Sequence, residues 1–248
     1  MEAILKVQDL SGGYSIGRPV LHDIGFEVRP GEMVGLIGLN GAGKSTTIKH
    51  ILGLLQPHRG EIRVKGIQLA EDSHVYRSAL AYVPESPLMY DELTVKEHLE
   101  LTAMAYGLEQ DEYIRRSERL IAEFQMKDKM NSFSAHLSKG MKQKMMIMNA
   151  FMVEPVLYII DEPFLGLDPL GIRSLLDLMV SMKERGAAIL MSSHILSTIE
   201  RYCDKYVVLH KGRMAAAGTL DEVRNQAGLP GQPLEDVFYA LVKEGSVR

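Results

Sequence analysis

The chain has 248 residues, enough for one large α/β domain or two small ones. Hydrophobic residues make up 46% and charged residues 24%, ordinary for a globular domain, and a net charge of -4 supplies no overall basic field for nucleic acid. The single cysteine, Cys203, excludes an internal disulfide and a cysteine zinc site; no apolar run reaches the length of a bilayer; and the N-terminus MEAILKVQDL lacks the cationic start and long apolar stretch of a signal peptide.

Ala3 to Leu10 alternates apolar and polar residues and predicts an edge-type strand. Val20 to Val28 predicts a second strand, ended by Pro30-Gly31, so an antiparallel sheet opens the chain. Met33 to Ile37 (MVGLI) is a short apolar run that reads as a buried strand. Gly38 to Thr46 (GLNGAGKST) follows and fits the spacing G-x-x-x-x-G-K-[ST], with Gly38, Gly43, Lys44 and Ser45 at the fixed positions. Thr46 to Leu55 then has helical spacing. A strand, a glycine loop and a helix N-terminus in that order make an anion site. Glycines let successive N–H groups of Leu39, Asn40, Gly41 and Ala42 curl around phosphate oxygens, and the helix end adds unsatisfied donors. Lys44 is expected to reach the β- and γ-phosphates, and the Ser45 hydroxyl to ligate Mg²⁺.

Gly60 to Val64 and Ile67 to Leu69 suggest a hairpin with Gly66 near its turn, and Leu80 to Val83 is a short buried strand stopped by Pro84. The character then changes. Thr94 with Glu97 three residues on is a capping-box pattern opening a helix to Tyr106; Asp111 to Phe124 and Ser138 to Val153 predict two more helices. With no strand evident in residues 85–155, this segment reads as a helical subdomain inserted into an α/β core made of residues 1–84 and 156–218. Strand and helix alternate again from Val156 to Leu209, which argues for a mostly parallel sheet covered on both faces. Residues 219–248 form a tail with two helices broken by Gly228, Pro230, Gly231 and Pro233, so that 1–248 is a single domain.

Further chemistry falls at strand and helix ends. The strand Val156 to Ile160 runs into Asp161-Glu162, where a carboxylate is placed to hold Mg²⁺ and the next to act as general base toward water; a helix N-cap is the plainer alternative. Ser192-Ser193-His194 ends the next apolar strand and puts an imidazole beside the same site, or simply caps a helix. Leu137-Ser138-Lys139-Gly140-Met141 opens the third helix of the helical segment and resembles a second anion site, although a serine N-cap fits it as well. Its remoteness from the glycine loop points to use in trans.

Taken in this order, these pieces resemble the nucleotide-binding subunit of ATP-binding-cassette (ABC) transporters, over Ala3 to about Leu241. The resemblance implies a P-loop NTPase core with an N-terminal antiparallel β-subdomain, and it assigns roles. Tyr14 stands where the family stacks an aromatic on adenine, Glu85 where it usually has glutamine, Asp168 in the loop that crosses to the other subunit, and His194 as the switch histidine. HLSKGMKQK from His136, YIIDEPFLGLDP from Tyr158 and LELTAMAYGL from Leu99 are similar to the ATPase subunits of bacterial Ecs-type exporters. The implied mechanism is a homodimer closing head to tail on two ATP molecules, each held between the phosphate loop of one copy and Ser138 and Gly140 of the other. Closure drives a separate membrane permease that docks near Glu85 to Leu93, where Met89 and Tyr90 look exposed. Such a chain is soluble when alone and sits on the cytoplasmic face of the membrane through that permease. Two departures stand out: Lys139 and Met141 replace a Gly and the Gln of the usual Leu-Ser-Gly-Gly-Gln, and Glu85 adds a charge and removes an amide. Lys139 either leans to solvent or adds positive charge near ATP, and Glu85 keeps an oxygen with which to sense Mg²⁺ through water.

The alternative is a non-transport ABC-type ATPase acting on nucleic acid or the ribosome. The DNA-repair branch carries a long coiled coil between phosphate loop and signature, and Thr46 to His136 has neither the room nor the heptads. The translation branch carries two such domains per chain, and no basic patch is present here. A regulator without turnover is disfavoured by Glu162.

Overall fold

The computed structural model describes residues 2–244, so the end of the expected tail, 245–248, lies outside the described residues. The chain opens with β1 (Leu5–Gly12), β2 (Leu21–Val28) and β3 (Met33–Ile37), then α1 (Lys44–Ile51), β4 (Arg59–Val64), α2 (Ser73–Ser78) and β5 (Leu80–Val83). Three helices follow: α3 (Val95–Ala105), α4 (Gln110–Glu123) and α5 (Lys139–Val153). The chain continues through β6 (Leu157–Asp161), α6 (Pro169–Glu184), β7 (Ala188–Ser192), α7 (Leu196–Tyr202), β8 (Lys205–His210), β9 (Arg213–Gly218), α8 (Leu220–Gln226) and α9 (Leu234–Glu244).

Six strands form one sheet in the order β5-β6-β7-β3-β8-β9, with every pair parallel except β8–β9. All five residues of β3, β6 and β7 are buried, which explains their continuous apolar runs: a parallel sheet covered on both faces has no solvent side. Alternate residues serve two cores. Ile37, Tyr158, Ile160, Ile189, Met191 and Val208 face α3 to α7 and α9. Val34, Leu36, Ile159, Leu190, Val207 and Leu209 face α1 and the second sheet, which is three-stranded, antiparallel and ordered β2-β1-β4.

That order corrects the expectation for the first strand. β1 is the central strand, paired to both neighbours. Alternation reports that one face is buried and says nothing about whether the strand's edges are paired. It also fails at Asp9, which takes a left-handed backbone (φ 49) as both registers shift; the bulge re-phases the strand and turns Leu10 into the core. Three other differences are local. The helix after the glycine loop starts at Lys44, not Thr46, because Gly43 (φ 112) lets the chain leave the loop directly into helical geometry. Ile67 makes only an isolated bridge to Val64, so the hairpin has no second strand. α2 and β9 have no counterpart in the sequence reading. The first is one short turn capped by Asp72, and the second is the Ala-rich strand MAAAG, which lacks alternation.

The capping box at α3 is present, with Thr94 accepting from the Glu97 N–H and Glu97 accepting from the Thr94 N–H at 2.7 Å. Ahead of it, the loop from Glu85 differs from expectation: Met89 is only partly exposed and packs on the core, whereas Leu88 and Tyr90 are exposed. Buried His98 fixes this loop, its Nδ1–H donating to the Thr94 carbonyl at 2.8 Å and its Nε2 accepting the Tyr90 N–H at 3.1 Å.

Candidate nucleotide site

Strand register brings the candidate residues together. β3 lies next to β7, and β7 next to β6, so their C-terminal ends form one rim. Ser192 pairs with Leu36 on one side and Asp161 on the other. At about 4.8 Å per strand, the phosphate loop and Asp161 stand roughly 10 Å apart across that rim. A cleft of about 790 Å³ opens there. Leu39, Asn40, Gly41, Gly43, Lys44, Ser45 and Thr46 line one wall, and Glu85, Asp161, Glu162 and His194 another, with Tyr14 at the edge. Gly38 and Ala42 belong to the loop but turn away from the cleft. A side chain at Gly38 would begin 2.6 Å from the Leu209 carbonyl oxygen, and Ala42 is buried.

Lys44 is buried, and its ammonium donates to the Gly38 carbonyl at 2.7 Å, which arches the loop over its own lysine. Asp161 is also buried. Burial pushes its carboxyl above the usual range, a hydrogen bond from the Ser192 hydroxyl opposes that, and Glu85 and Glu162 add repulsion. Glu162 follows in a left-handed conformation (φ 45), its N–H donating to the Ser192 carbonyl at 3.1 Å. A non-glycine residue held there stores strain, and such strain concentrates at functional sites. The Glu162 carboxylate meets His194 twice, at the ring Nδ1 (2.7 Å) and at the backbone N–H (3.2 Å). The Tyr14 hydroxyl accepts from Lys49 Nζ at 3.2 Å; hydrogen bonds with Thr46 and Lys49 hold the phenol below its ordinary range.

Ser138, Lys139, Gly140 and Asp168 line none of this cleft. Ser138 caps α5 by accepting from the Met141 N–H at 3.3 Å. A side chain on Gly140 would begin 2.3 Å from the Gly166 carbonyl oxygen, and the stem of Lys139 crosses Gly166. Asp168 caps α6 through the Gly171 N–H at 2.6 Å and accepts from Lys144 Nζ at 2.8 Å. The two segments are thus tied to one another within one chain, with Ser138, Lys139 and Asp168 exposed and Gly140 half-buried.

Sequence reasoning missed four contributors. Val20 and Leu165 line the cleft, Ser192 donates to the Asp161 carboxylate and accepts the Glu162 backbone N–H, and Lys144 holds Asp168. Ser192, two residues before His194 at a strand end, carried a readable signal. Val20 and Leu165 carried none, because apolar cleft residues look like core in a one-dimensional pattern.

A parallel sheet whose strand ends gather a glycine loop, a buried lysine and a Glu–His pair defines a P-loop ATPase of the ABC type. The ABC transporter family pattern matches residues 21–165, more than half of the chain, and the chain belongs to that family. It is an ATP-binding, ATP-hydrolysing subunit of a transporter. It is 55% identical to the ABC-type transporter ATP-binding protein EcsA of Bacillus subtilis over 98% of both chains. A solved ATP-binding subunit of an ABC transporter superposes with a TM-score of 0.94 at 57% identity, covering 96% of this chain and 99% of that one. CbiO1 of Clostridium perfringens, part of the CbiONQ transporter complex, follows with 0.76 at 28% identity, covering 91% and 92%. Subunits of this family act as dimers with membrane permeases. Among the described residues no helix is long and apolar enough to cross a membrane.

Proposed function

We propose that two copies of this subunit close head to tail on ATP, at the cytoplasmic face of the membrane, and power export through a separate permease. The observation that carries this reading is the split between the two groups of residues. Glu162 and His194 pair at 2.7 Å in the cleft that holds Lys44 and Ser45, whereas Ser138, Lys139 and Gly140 line none of it; Ser138 and Lys139 are exposed and Gly140 is half-buried. A helix end of this kind that stands outside its own cleft is placed to cover the open side of the cleft in a second copy.

In this scheme the Gly38–Thr46 loop cradles the phosphates, Lys44 clamps the β- and γ-phosphates, and Tyr14 stacks on the base. Glu162 takes a proton from the attacking water, and His194, already bonded to it, aligns that carboxylate and senses the γ-phosphate. Ser138 and Gly140 of the other copy donate to the same phosphate, Lys139 adds charge at that edge, and Asp168 sits where the copies cross. Among the described residues no cluster of three or more His, Cys, Asp or Glu could hold a metal alone, so a divalent ion needs phosphate oxygens to complete its shell. The Ser45 hydroxyl and the Asp161 carboxylate are hard oxygen donors on the cleft wall and fit Mg²⁺; they would hold it, and Glu85 would supply a further oxygen to sense it. Mg²⁺ bound there would neutralise charge building on the phosphates. The helical segment of residues 85–155 acts as a unit distinct from the core of 1–84 and 156–218, with the tail from 219 packed alongside.

Export is supported by the Ecs-like phrases. Docking of the permease near Glu85 to Leu93 is supported by the exposed Leu88 and Tyr90. Tyr90→Glu is expected to cut ATPase stimulation by the co-purified permease while basal turnover persists; full stimulation removes the docking assignment. The dimer is tested with Glu162→Gln and ATP under light scattering. The expected mass is twice that of the chain, and a strict monomer, with or without permease, ends the proposal.

A further inference from the structure

The turn between β8 and β9, Lys211-Gly212, belongs to no motif, yet it touches the phosphate loop. Both residues have left-handed backbones (φ 47 and 75), the geometry of a tight two-residue hairpin. The Gly212 N–H donates to the Ala42 carbonyl of the phosphate loop at 3.0 Å, and the Gly212 carbonyl accepts the His22 N–H of β2 at 2.8 Å. The backbone of one residue therefore joins the loop that faces phosphates to the strand that follows Val20, a residue of the cleft wall. Val20 in turn donates its N–H to the Gly12 carbonyl at 2.8 Å, two residues before Tyr14. The fit is tight. A side chain on Gly212 would begin 1.8 Å from the Val20 carbonyl oxygen, which is backbone and cannot rotate aside. Near the end of β8, the Leu209 carbonyl oxygen lies beneath Gly38, 2.6 Å from where a side chain would begin.

We infer that Gly212 is a positioning residue for nucleotide binding, a strut that fixes the phosphate loop against the β1–β2 connection carrying Tyr14 and Val20. It touches no nucleotide itself. Its backbone N–H and carbonyl set the separation between the base-side and phosphate-side walls, and a side chain there must widen that separation or tilt the loop. The inference rests on the reading of the cleft as the ATP site.

Gly212→Ala is expected to weaken ATP binding by about tenfold to a hundredfold, the penalty of misplacing binding groups by about 1 Å, and to raise KM by more than it lowers kcat. Gly228→Ala is the control. Gly228 also has a left-handed backbone (φ 67), but nothing lies within 4 Å of an added side chain, so backbone strain alone is felt and ATP affinity is expected to stay at the wild-type value. In the wild-type protein, hydrogen exchange over residues 209–214 is expected to slow on adding ATP, and this decides the matter if Gly212→Ala does not fold. Lys44→Ala separates the two levels of the argument. Wild-type ATP affinity in Lys44→Ala overturns the cleft reading and this inference with it. Lost affinity in Lys44→Ala with wild-type affinity in folded Gly212→Ala overturns the strut alone. So does equal weakening by Gly228→Ala, or exchange over 209–214 that ignores ATP.

Discussion

The cleft at the strand ends and the junction of α5 with the loop before α6 are both built around glycines and polar caps, but different forces arrange them. In the cleft, backbone register does the placing: Leu36, Ser192 and Asp161 lie in line because β3, β7 and β6 are hydrogen-bonded neighbours. At the junction, side-chain and steric contacts do it: Gly140 against Gly166, and Lys144 with Asp168. Gly140 therefore has a reason to be glycine inside its own chain, whether or not an anion ever reaches it. The two regions meet through buried Gln143 of α5, whose amide donates to the carbonyls of Pro84 and Pro163, just before Glu85 and just after Glu162, at 3.4 Å each. These long bonds connect the regions without fusing them, so chemistry at the cleft and packing at the junction should separate under mutation.

The largest expected separation is at the cleft. Glu162→Gln should lower ATP turnover by about 10²- to 10⁴-fold, the usual contribution of a general base. ATP binding by the same variant should persist, so phosphate-release kinetics beside equilibrium binding check the assignment; joint loss would show that the residue holds the cleft together instead. Gly140→Ala probes the other side. Its methyl meets a backbone oxygen, so thermal unfolding should report a loss of about 1–3 kcal/mol from overpacking, with ATP binding by single subunits retained. An unchanged melting temperature would mean that α5 and the Gly166 loop can slide apart freely.

Asp168→Ala should cost less, about 0.5–2 kcal/mol for a lost helix cap. The hydrogen bond from Lys144, then that from the Gly171 N–H, hold the Asp168 carboxyl below its ordinary value of 3.8. A carboxylate depressed in the folded state contributes stability above that ordinary value and loses it as pH falls toward the folded value. The gap between wild type and Asp168→Ala should therefore narrow in acid, as urea titrations at several pH values would show. The smallest effect concerns His50 of α1, outside both regions. Burial, first, holds this imidazole below its ordinary 6.5, against a hydrogen bond to the Leu55 carbonyl. Its Nε2 is buried without a partner among the described residues, so a second proton there would gain no hydrogen bond. The unfolded chain protonates first, and stability should decline as pH drops below 6.5, by under about 1.4 kcal/mol per pH unit. His50→Met should flatten that slope; an identical slope would place the sensitivity elsewhere.

Much of the cleft was legible in one dimension because phosphate chemistry demands fixed residue types at fixed spacing. Gly38 to Thr46 could be placed from its own letters, and Asp161, Glu162 and His194 from their positions at the ends of apolar runs. β3 and β5 were readable to the residue, since a strand buried throughout, or at all but one position as in β5, is a short apolar block with sharp ends. The Asp9 bulge, the central place of β1 and the strand β9 were not, because they depend on which strand pairs with which.

By itself, then, the order of residues determined the family, the fold class and the identity of the phosphate loop, all of which follow from local pattern and motif spacing. Only the tertiary structure decided that Ser192 sits between Leu36 and Asp161, that Glu162 pairs with His194, that Gly140 is pressed on Gly166, and that the backbone of Gly212 braces the loop. Each of these is a contact between segments distant along the chain, and close packing of backbones sets it, not the preference of any one residue.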